Sequence, residues 1–135
     1  MNKINKIIMK KKNTILIKGF YFCNLILLIF YLFPGSLLGY FFYKNLYIQP
    51  QITKDFMISS NHFYVFFILS VIGILAYCNT NKINLLIKYL FLMSIILEFF
   101  HIIIPNREFE WVDLIGNTIG VAVVIIFYKI KKKYE

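Results

Sequence analysis

The sequence predicts an all-α integral membrane bundle of four transmembrane helices with both termini cytoplasmic, and three observations carry that prediction. Of 135 residues, 60% are hydrophobic and 19% aromatic, well above the roughly half-apolar usage of soluble domains. Four apolar stretches approach the ~20 residues a helix needs to cross a hydrocarbon core. The cations are grouped at alternate ends of those stretches, as they are when basic residues stay on the cytoplasmic side.

The first span is Thr14 to Phe33. Pro34-Gly35-Ser36 ends it, because proline breaks or kinks a helix. Ser36 to Ile48, rich in Phe and Tyr, reads as an interfacial return, a longer helix kinked at Pro34 being the alternative. The second span is 60–79 and the third 83–104. The fourth, 113–128, is short enough to thin the bilayer or snorkel on Lys129.

Lys3, Lys6, Lys10, Lys11, Lys12 and Lys18 precede or open the first span, Lys82 and Lys88 flank the second-to-third turn, and Lys129, Lys131, Lys132 and Lys133 close the chain. These are twelve of the fifteen Lys and Arg residues; only Lys44, Lys54 and Arg107 fall in the other connections. Reporter fusions after Tyr134 and near Gln51 are therefore expected to report the cytoplasm and the exterior respectively. A Tyr134 fusion reporting the exterior would overturn this orientation.

The net charge of +9 does not indicate nucleic acid, since the lysines sit in short clusters beside apolar segments rather than as a patch on a polar fold. Anionic lipid headgroups are the expected partner. The N-terminus reads as an uncleaved signal anchor, with a basic region before an apolar one and no small-residue cleavage site. Cys23 and Cys78 fall in the cytoplasmic halves of their helices, which predicts reduced thiols. No repeat or soluble domain is visible, and the whole chain reads as one transmembrane unit.

One stretch departs from a lipid-facing pattern: EFFHIIIPNREFEWVDLIGNTIG, from Glu98 to Gly120. Glu98 and His101 share a helix face at i, i+3, and Asp113 and Asn117 share one at i, i+4. At 1.5 Å per residue, Glu98 lies about 9 Å and Asn117 about 6 Å below the outer boundary, so the two pairs match in depth. His62 reaches a similar level. A charged side chain in a transmembrane helix costs roughly 2.5–3.5 kcal/mol, which favours turning inward to partners. His62, Glu98, His101, Arg107, Asp113 and Asn117 thus form a candidate ligand-binding cluster in the outer leaflet. Arg107 reads either as a headgroup contact or as Glu98's partner, Trp111 as an interface anchor and Pro105 as a helix stop. Gly116 and Gly120 supply small-xxx-small helix packing, and interhelical hydrogen bonding alone is the competing role for the polar groups.

Among catalytic patterns, no Gly-rich phosphate loop, HExxH or nucleophile elbow occurs, and Glu98-x-x-His101 is only half of a carboxylate-bridged metal motif. The residues themselves imply no catalytic set, cofactor or metal, although Glu98 with His101 or His62 has the chemistry for proton transfer.

Glu98-x-x-His101, Pro105-Asn106-Arg107 and Asp113-x-x-x-Asn117-x-x-Gly120, with His62-Phe63 at the outer end of the second helix and Pro34 closing the first, resemble the VanZ-like family signature E-x-x-Q, P-x-R, D-x-x-x-N-x-x-G. The resemblance covers most of the chain. It departs at His101, where the family usually has glutamine, and at Ile58-Ser59, where an Asp-Lys pair is usual. It implies a four-helix protein of the bacterial inner membrane, from a family some of whose members are linked to resistance against lipoglycopeptides such as teicoplanin. The expected ligand is a lipid-linked envelope precursor or a glycopeptide. A membrane enzyme acting on a lipid and a structural membrane subunit are the two alternatives.

Overall fold

The computed structural model describes residues 3–55 and 57–134, with side chains from Asn13 onward, so the side chains of Lys3, Lys6, Lys10, Lys11 and Lys12 lie outside the description. It is all-helical: α1 (Lys3–Leu32), α2 (Leu37–Tyr43), α3 (Ser60–Tyr77), α4 (Ile83–Phe100) and α5 (Trp111–Tyr134). Four stretches are long and apolar enough to cross a membrane, Asn13–Leu32 and the whole of α3, α4 and α5. The protein is accordingly a multi-pass membrane protein.

Helix α1 begins within the basic segment and stops before Pro34, so no continuous kinked helix crosses that proline. Gly35, at φ +90°, takes the left-handed turn that a side chain disfavours, and Ser36 then caps α2 by accepting a 2.9 Å hydrogen bond from the Gly39 amide through its hydroxyl. Helix α2 leaves Tyr40, Phe41, Phe42 and Tyr43 exposed, the aromatic surface expected of an interfacial segment. Segment 49–55 folds back over the start of α3. Asn61 bridges it by accepting from the Ile52 amide at 2.8 Å and donating to Pro50 O at 2.7 Å, while Asp55 accepts the Ser60 amide at 2.7 Å as a helix cap.

Two helix ends differ from the sequence expectation. Helix α4 stops at Phe100 rather than at Ile104, because Pro105 disfavours helical backbone before it and the chain unwinds through a tight turn. The fourth span is not short: α5 runs 24 residues, about 36 Å, since Lys129 to Lys133 are good helix formers and Lys131–Lys133 complement its C-terminal dipole.

Helix α3 is central, packing against α5, α1 and α4. Its tightest approach is to α5 at Gly116 and Gly120. A Cβ on Gly120 would lie 2.6 Å from Phe63 O, and one on Gly116 2.8 Å from Ser59 O, so the backbones meet where glycine leaves room. The usual surface is inverted: the outside is apolar, while several polar side chains share the interior with a hydrophobic core that includes Phe66, Leu90 and Val121. Phe22, Leu25, Ile68, Leu85, Leu92 and Phe127 are exposed, whereas Ser70, Ser94, Glu98 and Asn117 are fully buried. That inversion is stable only in a solvent as apolar as the exposed surface.

Candidate functional site

The up-down connectivity brings the end of α1, the start of α3, the end of α4 and the start of α5 to the same end of the bundle. Each contributes a polar group there. Glu98, in the last turn of α4 and completely buried, is the hub. Its Oε1 accepts from the Glu110 amide at 3.3 Å and faces His101 Nδ1 at 3.3 Å; its Oε2 accepts from Asn117 Nδ2 at 3.3 Å and faces His62 Nδ1 at 3.6 Å. Asp113 meets His62 rather than the α4 pair, with Oδ2 at 3.3 Å from Nε2.

A residue absent from the sequence reading completes the network. Tyr31, buried at the end of α1, donates its hydroxyl to Asn117 Oδ1 at 2.7 Å and lies 3.1 Å from His62 Nδ1. Its ring stacks on that of His101, with centroids 5.6 Å apart, and its carbonyl lies 3.2 Å from His101 Nε2. Only its position, in the last helical turn before Pro34 at the depth of the other polar groups, sets it apart from nine other tyrosines.

These contacts fix most of the protons. A carbonyl can only accept, so His101 carries Nε2–H toward Tyr31 O and turns Nδ1 to Glu98. Tyr31 spends its own proton on Asn117, so His62 carries Nδ1–H toward the Tyr31 oxygen and turns Nε2 to Asp113. The arrangement sets two carboxyl groups against two imidazoles, chemistry suited to binding a polar headgroup or to proton transfer.

Arg107 does not pair with Glu98. Its guanidinium donates to Phe30 O at 2.8 Å and Phe33 O at 3.4 Å, capping the carbonyls that α1 leaves open at its end, and to Gln49 Oε1 at 3.3 Å. Burial lowers its pKa from the ordinary value, with Tyr31, Glu98 and Asp113 opposing. Glu110, at the rim, is raised chiefly by the charge of Asp113, with burial second. Trp111 opens α5 and is exposed.

Beside the network, a cavity of about 340 Å³ runs between α1 and α3. Cys23, Ile26, Leu27, Val65 and Leu69 form its apolar body; Tyr31, His62, His101 and Arg107 form its polar end. Gln49, Pro50 and Ile52 of the folded-back segment also line it. Exposed Ile26, Leu38, Ile52 and Ile68 are among its lining residues, so its open side is apolar. Of the sequence-predicted residues, His62, His101 and Arg107 reach the cavity, while Glu98, Asp113 and Asn117 stand behind them. Comparisons with family models, with curated proteins and with solved structures find no match for this chain.

Proposed function

We propose that this protein is a VanZ-like, multi-pass protein of the bacterial cytoplasmic membrane, with both termini inside, whose outer-leaflet cavity binds an amphiphile such as a lipid-linked envelope component or a lipoglycopeptide. The observation that carries this reading is the cavity itself. Its walls follow α1 from Cys23 to Tyr31 and α3 from His62 to Leu69, roughly 10 Å of apolar slot at 1.5 Å per residue, with Tyr31, Ser36, Gln49, Asn61, His62, His101 and Arg107 as its polar lining. An acyl chain matches the slot, and a polar or anionic head matches the end where Arg107 and the two histidines stand.

Two features support the competing readings. Every polar side chain of the Glu98 network has a partner, as structural cross-linking of helices requires. The His62–Asp113 pair beside a cavity is also an arrangement from which an enzyme draws a general base. Binding is preferred because cross-linking alone gives no reason for Tyr31, His62 and His101 to face a cavity.

Val65→Trp tests the reading, since it fills the apolar wall without removing a network side chain. Native mass spectrometry of the protein released from its own membrane is expected to show a bound amphiphile that this variant loses. A lipidated glycopeptide added to the wild type is expected to displace that amphiphile better than its unlipidated relative. An equal adduct on the wild type and on folded Val65→Trp overturns the assignment of the cavity.

A further inference from the structure

We propose that His62, Glu98 and Asp113 bind a divalent transition-metal cation, Zn²⁺ or one of similar ligand preference. This goes beyond the amphiphile reading and stands whether or not the cavity takes a lipid. One donor atom from each of the three side chains lies within 4.8 Å of the other two, and the three residues come from α3, α4 and α5. Zn²⁺ bound at about 2.0–2.2 Å by nitrogen and oxygen keeps tetrahedral donors roughly 3.3–3.6 Å apart, so side-chain rotation of about 1 Å closes the set. His62 Nε2 and Asp113 Oδ2 already stand at 3.3 Å, and a Glu98 oxygen completes the set within 4.8 Å.

Charge argues in the same direction. Among the described residues, the only cationic partners within salt-bridge distance of Glu98 and Asp113 are histidines. Two carboxylates gathered in a dry bundle are costly unless a cation compensates them, and a dication supplies that compensation at one point.

The surroundings are those of a held ligand set. Metal-bound imidazole characteristically donates its other ring N–H to a fixed partner, and His62 Nδ1 has Tyr31 Oη at 3.1 Å for that purpose. Glu98 is oriented by Asn117, His101 and the Glu110 amide, which leave the side of Oε2 toward His62 for a metal. Three protein donors leave a fourth position, and because His62 lines the cavity, that position is within reach of water or of a headgroup oxygen. Asp113, whose side chain is 19% exposed, marks the route by which a cation arrives from the rim.

Untagged protein in detergent, stripped with a chelator and dialysed against Zn²⁺, tests the site by bound metal per chain and by thermal unfolding. One equivalent of zinc and a higher melting temperature are expected. Asp113→Asn and His62→Asn are each expected to weaken uptake roughly tenfold or more. If His62→Asn does not fold, Asp113→Asn decides alone, because Asp113 lies at the partly exposed rim. Folded wild type that takes up no zinc, or uptake unchanged in Asp113→Asn, overturns the site. Either result leaves amphiphile binding to be judged separately by Val65→Trp.

Discussion

Gly120→Leu is expected to abolish the folded bundle: no monodisperse protein on size exclusion in mild detergent, and no cooperative thermal transition. The Cβ alone would stand 2.6 Å from Phe63 O and 3.0 Å from the Phe67 amide nitrogen, both backbone atoms that a rotamer change cannot move. Gly120→Ala gives the graded form of the same test. Alanine is favoured over glycine in a helix interior by about 1 kcal/mol. Overpacking of a tight contact costs about 1–3 kcal/mol. Since the clash is with backbone, the upper part of that range applies and Ala is expected to destabilise. Alanine melting above wild type would show that α3 and α5 can separate freely, and would remove the basis for aligning the polar groups across them.

Glu98→Gln is expected to fold while Glu98→Leu is not, because the hydrogen-bond chain can reverse its direction. In the wild type, Asn117 donates to Glu98 and Tyr31 donates to Asn117. With glutamine at 98, the amide can donate to Asn117 Oδ1, Asn117 Nδ2 to Tyr31 Oη, and Tyr31 Oη–H to His62 Nδ1, every partner being kept. One loss remains. His101 Nδ1 no longer faces a carboxyl group, so a cost of about 1–2 kcal/mol is expected. Leucine strands the Glu110 amide, Asn117 Nδ2 and His101 Nδ1 together, at about 1 kcal/mol each or roughly 3 in all. Thermal unfolding in detergent separates the two variants, and equal stability would refute the hub role of Glu98. Because Glu98→Gln preserves the scaffold, it is also the variant in which loss of lipid or zinc binding reports chemistry rather than misfolding.

The spans were legible in the sequence because apolar length and lysine placement are local properties. Ser60 and Ile83 open α3 and α4 where the hydropathy rises. The depth match of Glu98, His101, Asp113, Asn117 and His62 was also legible, since rise per residue fixes level along a helix. Direction around the axis was not. Asp113 turns to His62 while Asn117, one turn later, turns to Glu98, a distinction set by crossing angles that Gly116 and Gly120 permit. In the sequence Arg107 reads as a headgroup contact or as the partner of Glu98, because opposite charges attract. The open carbonyls of α1 compete for the same guanidinium, and they appear only once the helix is known to end at Leu32. Tyr31 was hidden among aromatics that belong to the membrane interface.

The apolar open side of the cavity has a consequence for how any ligand is counted. With segment 49–52 at the polar end and Ile26, Leu38 and Ile68 on the flank, the amphiphile reading has its ligand come in sideways, from within the leaflet rather than from water. Occupancy is then governed by the mole fraction of ligand among neighbouring lipids. Diluting the membrane with inert phospholipid should empty the cavity even when the total amount of ligand per millilitre is unchanged, and a binding curve plotted against bulk concentration should shift with every change in lipid-to-protein ratio.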